Sequence, residues 1–160
     1  MMRSLLIGCL LLLSACASQP PLPEKTPALA LPMQLHVQRL ADGQSQDWLL
    51  VIQREGGAIR WSMMDPLGIP QARQKLIDGA WQADGLLPPN PQARELFAAL
   101  LFALTSADDV RALYPSAQAR DLTRTLPGHW QIVYHSSEVF SVNMTGQTLS
   151  YRITPLGAAQ

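Results

Sequence analysis

Few side chains in this sequence have the type and spacing that catalysis or metal binding requires. His36, His129 and His135 lie on polar faces of predicted strands or beside a turn, and no cysteine, carboxylate pair or HxxxH spacing accompanies them. The pair Asp108-Asp109 is explained by a helix N-terminus, where the helix dipole stabilises carboxylates. No serine occupies a G-x-S-x-G nucleophile elbow. We therefore predict no catalytic residue, no metal site and no cofactor.

Cys16 is the side chain with the clearest chemical assignment. It closes the sequence LSAC at positions 13–16, after a positive charge at Arg3 and an apolar run over 5–13. The run is far shorter than the ~20 residues that span a bilayer, which predicts a signal peptide over 1–15. The sequence LSAC resembles the lipobox of bacterial lipoproteins. That resemblance implies acylation of the Cys16 sulfur, cleavage before the cysteine and acylation of its new amino group.

The lipobox resemblance also implies a location. Several acyl chains on one residue make membrane attachment effectively permanent. Ala17 follows the cysteine, where an aspartate resembles the inner-membrane retention signal of enterobacterial lipoproteins. We therefore expect the periplasmic face of the outer membrane. The alternative is a soluble periplasmic protein released by ordinary signal peptidase.

Composition limits the remaining function classes. The 160 residues less the 15 of the signal leave enough chain for one domain with one core. Removing Arg3 with the signal leaves 11 basic and 12 acidic residues, so we expect no nucleic-acid partner. Cys9 belongs to the signal and Cys16 carries the lipid, so no pair of thiols is left for a disulfide. We expect a monomer.

A proline-rich segment follows the lipidation site. Five prolines among small residues between Cys16 and position 32 favour an extended, semi-rigid chain. We predict a lipidated tether over 16–32, a domain over 33–155 and a tail over 156–160. The alternative for the tether is an N-terminal tail without a spacing role.

Apolar and polar residues alternate in two blocks, with the period typical of strands. The first block runs over 33–83, with turn sequences at Glu55-Gly56-Gly57 and Asp78-Gly79, and predicts five strands. The second block begins at Trp130 and predicts three more.

Between the two blocks the apolar period becomes helical. Asn90 and Pro91 provide a cap and a first residue for one helix, and Ser106 with Asp109 matches a capping box for a shorter helix that stops before Pro115. The order strands, helices, strands predicts an α+β fold. We expect an antiparallel sheet of about eight or more strands that curls around the helices, which cover its concave face.

The apolar faces of these elements either pack together as a solid core or line a gap between sheet and helices. A stripe of methionine and aromatic residues is more often core. The candidate cavity residues are Leu35, Val37, Trp48, Leu50, Ile52, Trp61, Met63, Phe97, Leu101, Trp130, Ile132, Tyr134 and Tyr151.

The sequence Asp65-Pro66-Leu67-Gly68 lies between the third and fourth predicted strands. Asp, Pro and Gly stand at the first, second and fourth positions, as a type I turn prefers. Leu67 has no such explanation, because a hairpin tip normally carries a small polar residue there. An exposed leucine at a tip favours contact with a membrane or an apolar partner.

The strand and turn over 61–68 resemble the protruding-loop region of LolB, the outer-membrane receptor that takes lipoproteins from the periplasmic carrier LolA. The order of signal, lipobox, strands, helices and strands is also similar. Closer still are LolB-like lipoproteins of aryl-polyene pigment clusters, whose D-P-L-G turn, Arg-rich strand and helical pair resemble 65–68, Arg73 and Tyr114-Pro115.

The resemblance implies an open half-barrel with helices over an apolar cavity for acyl chains, and Leu67 on a loop that enters or touches the membrane. Its implied partners are an acylated cargo, either a lipoprotein or an aryl-polyene lipid, and a LolA-like carrier. The first hypothesis is therefore a non-enzymatic lipid carrier. The second is a structural or accessory lipoprotein with a filled core.

Overall fold

The computed structural model describes residues 19–157. The predicted signal peptide, Cys16 and Ala17 lie outside these residues. The described part contains strands, then helices, then strands, as the sequence predicts. The elements are β1 (Met33–Ala41), β2 (Gln44–Glu55), β3 (Ala58–Met64), β4 (Pro70–Ile77), β5 (Ala80–Ala83), α1 (Pro91–Leu104), α2 (Ala107–Leu113), β6 (Gln118–Arg120), β7 (Thr123–Leu126), β8 (Trp130–Tyr134), β9 (Phe140–Met144) and β10 (Leu149–Pro155).

These ten strands form one antiparallel sheet in the order β5-β4-β3-β2-β1-β10-β9-β8-β7-β6. The first and last strands pair at its centre, with Val37 opposite Ile153. We call β1–β5 the first half of the sheet and β6–β10 the second half. The predicted α+β class and the open antiparallel sheet are confirmed.

One face of the sheet is buried, and we call it the inner face. In β4, for example, Ala72, Gln74 and Leu76 are buried while the residues between them are more exposed. Such alternation follows from the pleat, which points successive side chains to opposite faces. The inner face and α1 share one hydrophobic cluster.

Helix α1 lies against the inner face. The Asn90 side-chain oxygen accepts a hydrogen bond from the Ala93 N–H at 3.0 Å, and Pro91 is the first helical residue, as predicted. Residues 96–103 are all buried. A helix that is buried on consecutive residues is covered on every side, so α1 fills the interior rather than resting on its surface.

Helix α2 begins with the predicted capping box. The Asp109 N–H donates to the Ser106 hydroxyl oxygen at 3.1 Å, and that hydroxyl donates to the Asp109 carboxylate at 2.8 Å. The helix ends before Pro115. Neither helix within residues 19–157 is long and apolar enough to cross a membrane.

Residues 22–32, which we call the strap, are packed against the domain although the sequence predicts a tether there. Leu29 is buried in the core, and Leu22 and Leu31 pack against it. The strap also crosses the turn between β4 and β5, where a Cβ on Gly79 would lie 3.3 Å from the Glu24 carbonyl oxygen. These residues are part of the folded unit, because leucines between the prolines bind the segment to the core.

Candidate functional site

The structure brings the predicted cavity residues together in one place. All thirteen lie in the hydrophobic cluster or pack against it, with Trp48 and Tyr134 only partly buried. Helix α1 supplies Phe97 and Leu101 and fills the space in front of the strands. The inner face is therefore packed in this conformation.

The two phenylalanines of α1 anchor two separate aromatic groups. Phe97 lies 5.4 Å from Trp61 and 6.0 Å from Trp81, and the two indoles meet edge to face at 5.5 Å, all distances between ring centroids. We call Trp61, Trp81 and Phe97 the first aromatic group. Phe102 lies 4.9 Å from Tyr114 and 6.0 Å from Trp130. Aromatic contacts of this kind stabilise beyond simple burial by about 1 kcal/mol each.

Several polar atoms of the interior have no hydrogen-bond partner. In the first aromatic group these are the indole N–H of Trp61 and that of Trp81, and the neighbouring Gln74 side-chain oxygen is also without one. The Trp130 indole N–H is a further case near Phe102. A buried polar group without a partner costs about 1–3 kcal/mol. Folded proteins keep few of them, and each calls for an explanation.

The C-terminal end of α1 is attached to the second half by a buried cation. The Arg124 guanidinium on β7 donates to the carbonyl oxygens of Phe102 at 2.9 Å, Ala103 at 3.4 Å and Thr105 at 2.8 Å. It also lies over the Phe102 and Tyr134 rings. A cation at this end of a helix satisfies free carbonyls and opposes the negative end of the dipole. The short strand β7 therefore fixes the helix end.

Tyr134 reinforces that attachment. Its hydroxyl donates to the Ala103 carbonyl oxygen at 2.8 Å. Burial raises the pKa of the Tyr134 hydroxyl, and the nearby Arg124 charge offsets that rise only in part. The group is therefore a proton donor at neutral pH. Tyr134 and Arg124 together provide four hydrogen bonds to carbonyls at one helix end.

Besides the packing of Phe97, one side-chain hydrogen bond among residues 19–157 attaches the N-terminal end of α1 to the first half. The Asn90 amide donates to the Gln71 carbonyl oxygen at 3.2 Å, at the start of β4. Asn90 is otherwise engaged in capping its own helix. The two ends of α1 thus differ in how strongly the sheet holds them.

A group of charged side chains fixes the edge strand β5 from the outer face. The Asp84 carboxylate lies 2.7 Å from Arg60 Nε and 3.5 Å from Lys75 Nζ, and Arg60 also reaches Glu55 at 2.7 Å. Burial by itself would raise the pKa of Asp84. The hydrogen bond and charge of Arg60, followed by those of Lys75, outweigh that effect and lower the pKa below its usual value.

Leu67 lies at the tip of the hairpin between β3 and β4, as the sequence predicts. The Gly68 N–H donates to the Asp65 carbonyl oxygen at 2.9 Å, and the Asp65 carboxylate accepts from the N–H groups of Leu67 and Ile69, each at 2.9 Å. The turn is therefore fixed without the Leu67 side chain, which is 86% exposed. Ile69 beside it is 53% exposed.

A second exposed leucine lies at the same end of the sheet. The loop that carries the fully exposed Leu86 begins at Asp84, 3.9 Å from Arg73, and ends at Asn90, which is bonded to Gln71. The loop therefore begins beside the middle of β4 and ends beside its start. We call Leu67, Ile69 and Leu86 the loop tip. The Leu86 contribution was not predicted, because two prolines and a glycine around it favour an ordinary loop.

The opposite end of the molecule holds an apolar cleft of about 330 Å³. It is lined by Ala30 and Pro32 of the strap, Leu35, Phe140 and the last residue of α1, Leu104. This volume is at the lower end of the range for ligand pockets. The cleft reaches the predicted cavity residue Leu35 beside the end of α1.

The histidines form no cluster with other ligating groups. His36 Nε2 lies 2.8 Å from the Asp47 carboxylate in an exposed pair, and His135 is bonded to Ser141 at 2.9 Å. Within residues 19–157 no three His, Cys, Asp or Glu side chains come together in a way that could hold a metal ion.

The lipidation site Cys16 lies outside the described residues, so its assignment stays a prediction. Neither models of known protein families nor curated protein sequences give a match to this chain.

Proposed function

We propose that this chain is an outer-membrane lipoprotein that binds an acylated or lipid-like cargo on the inner face of its sheet and helps to deliver it to the outer membrane. The observation that supports the proposal is a wide apolar face that one helix covers. Hydrogen bonds from side chains attach the two ends of this helix to the rest of the protein. Such a cover is separable from the sheet without breaking the sheet.

An acyl chain is chemically equivalent to what α1 now supplies. Residues 96–103 present only alanine, leucine and phenylalanine to the interior. Each methylene that replaces them against the inner face contributes about 0.8 kcal/mol of burial. A long chain therefore recovers much of the free energy that is lost when α1 moves, and the sheet acts as an open half-barrel around the cargo.

Movement of α1 is expected to begin at its N-terminal end. One hydrogen bond from Asn90 holds that end, whereas Arg124 and Tyr134 provide four at the other. Opening at Asn90 uncovers the inner face from the end of the sheet that carries the loop tip, and the first aromatic group lies farther along that face. Cargo would thus pass between the loop tip and the inner face.

The loop tip serves as the contact with a membrane or with the apolar site of a carrier. Leu67 and Leu86 contribute nothing to the core, so their exposure has no structural benefit. The proposed partners are the membrane that holds the Cys16 lipid, the acylated cargo and a LolA-like carrier.

A lipid titration tests the carrier function. The mature chain with Cys16→Ser is titrated with a fluorescent fatty acid, and an unlabelled acyl lipid is then added as competitor. Saturable, displaceable binding at one molecule per chain is expected. Signal that rises without saturation would contradict the carrier function.

The second candidate is an accessory lipoprotein with a solid core. The observation that favours it is the complete burial of Trp61, Trp130 and Tyr151 in this conformation. It predicts no saturable site for any acyl lipid, so the same titration separates the two functions.

The anchor is tested separately. Cys16→Ser should abolish incorporation of labelled palmitate, because no other residue of the lipobox can form the thioether. Ser14→Ala is the control, since it keeps the cysteine and the small residues before it. Palmitate incorporation that survives the loss of Cys16 would contradict the lipoprotein assignment.

A further inference from the structure

We infer that the first aromatic group, together with Gln74, is a subsite for a neutral carbonyl of the cargo, such as an ester or an amide. The inference rests on the proposed carrier function and adds a chemical preference to it. Its basis is that three unpartnered polar atoms of complementary type lie close together on the inner face of the first half.

Trp61 and Gln74 face each other across two neighbouring strands. They are direct register partners of β3 and β4, and such partners point to the same face with Cβ atoms about 5 Å apart. Trp61 is fully buried and Gln74 is 4% exposed. Trp81 on β5 lies beside them on the same face, as the register partner of the buried Leu76.

The unpartnered atoms are complementary in type. Trp61 and Trp81 each offer an indole N–H, which only donates, and Gln74 offers an amide oxygen, which accepts. A cargo carbonyl would accept from an indole, and an amide would in addition donate to Gln74. The aromatic rings would pack on the neighbouring chain.

Packing alone does not account for the glutamine. Leucine has a similar size and would remove the cost of a buried, unsatisfied oxygen on this face. The first aromatic group and Gln74 therefore retain polar atoms that destabilise the protein while α1 covers the inner face. A buried polar group without a partner calls for an explanation, and a ligand that completes the site supplies one.

The charge distribution favours a neutral group over a carboxylate. Arg60 and Lys75 precede or follow Trp61 and Gln74 by one residue, so they point to the outer face. The buried cation of the described residues, Arg124, lies in the second half, where helix carbonyls occupy it. A carboxylate beside Trp61 would be buried without a counter-charge, which is costly.

Competition among three ligands of equal chain length tests the inference. Methyl palmitate, palmitate and hexadecane each displace a polarity-sensitive dye from the mature chain with Cys16→Ser at pH 7. Methyl palmitate should bind about tenfold more tightly than the other two, as one satisfied hydrogen bond in the interior allows.

Two substitutions separate the contributions of these residues. Trp61→Phe should reduce the preference for the ester to about twofold or less, because it removes an indole donor. Gln74→Leu should keep that preference, since an ester has no donor for the Gln74 oxygen, while its melting temperature stays the same or rises because a buried unsatisfied group is removed. Trp130→Phe removes an unpartnered indole N–H near Phe102 and is the matched control, which should keep the preference.

The outcomes separate this inference from the carrier function. Failure of all three ligands to bind would contradict the carrier function itself. Equal binding of the three, or an ester preference that survives Trp61→Phe, would overturn the carbonyl subsite and leave the carrier function standing. Trp81→Phe, which removes the other unpartnered indole N–H of the group, decides the question if Trp61→Phe fails to fold.

Discussion

The two halves of the sheet hold the same helix in different ways. In the second half, Arg124 and Tyr134 donate four hydrogen bonds to the carbonyls at the end of α1, although the Trp130 indole N–H and the Tyr151 hydroxyl there have no partner. At the first half, the one side-chain hydrogen bond from the start of α1 to the sheet in the described part of the chain is that of Asn90, and the interior keeps unpartnered atoms at Trp61 and Gln74. The C-terminal end of α1 is thus held by more hydrogen bonds than its N-terminal end, and the N-terminal end is the one that we propose to separate from the sheet.

The exposed apolar residues lie at the end of the sheet where α1 has the weaker attachment. Leu67 and Leu86 lie at the end of the sheet where the helix is weakly attached. The strap and the Arg124 contacts lie at the other end. Gly79, where the strap crosses the sheet, follows the end of β4, whereas the loop tip precedes the start of β4. One end of the molecule is fixed, and the other combines an exposed apolar tip with the weaker helix attachment.

Arg124→Met is the substitution with the largest expected effect on stability. It leaves the carbonyls of Phe102 and Thr105 buried without a donor, which should lower the free energy of unfolding by about 3 kcal/mol. Chemical denaturation measures the change. Arg152→Met, at an exposed position of β10, is the control and should cost less than about 0.5 kcal/mol. Similar losses for both variants would remove the distinction between the two helix ends.

Asn90→Ala should have a smaller effect on stability and a larger one on uptake. Loss of the cap costs about 1 kcal/mol, and loss of the bond to Gln71 frees the N-terminal end of α1. Stopped-flow mixing with a fluorescent acyl lipid should then show uptake several times faster. Ser106→Ala removes the cap of α2 at a similar cost and is the control. Equal uptake rates in the two variants would contradict opening at Asn90.

Acid should loosen the first half before the second. The folded-state pKa of Asp84 is lowered, so its contribution to stability is complete above the unfolded value of about 3.9 and is lost as the pH falls through the folded value. Hydrogen exchange in β5 should therefore accelerate below about pH 4, ahead of β8. Asp84→Asn should remove this pH dependence, and an unchanged profile in that variant would contradict the role of Asp84.

Sequence alone predicts the regular parts of this fold. It fails where a side chain bonds to residues that are far away in the sequence. Strict alternation and local capping by Asn90 and Ser106 are short-range signals, which is why those elements are predicted correctly. The strands β6 and β7 are missed because three or four residues give too little period, and Gln118–Arg120 is fully exposed.

The candidate site also combines features that follow from local sequence with features that depend on distant contacts. The hairpin tip at Leu67 follows from turn preferences of its own four residues. The role of Arg124 depends on carbonyls about twenty residues away, and the pairing of Trp61 with Gln74 depends on strand register. Burial of the strap depends on Leu29 finding the core, and a run of prolines indicates only an extended chain.

Leu67→Glu should have the smallest effect on stability, because Asp65 and Gly68 fix the turn and the side chain is exposed. The free energy of unfolding should change by no more than about 0.5 kcal/mol, so the melting temperature should stay nearly the same. Delivery of cargo should nevertheless fail, since a carboxylate resists transfer into hydrocarbon or an apolar pocket. Leu122→Glu is the matched control, an exposed leucine at a turn of the second half at the opposite end of the sheet. Its delivery should be normal. A loss of several kcal/mol in Leu67→Glu, or normal delivery at normal stability, would show that the loop tip is not the contact surface and that the difference between the two halves concerns only how the helix is held.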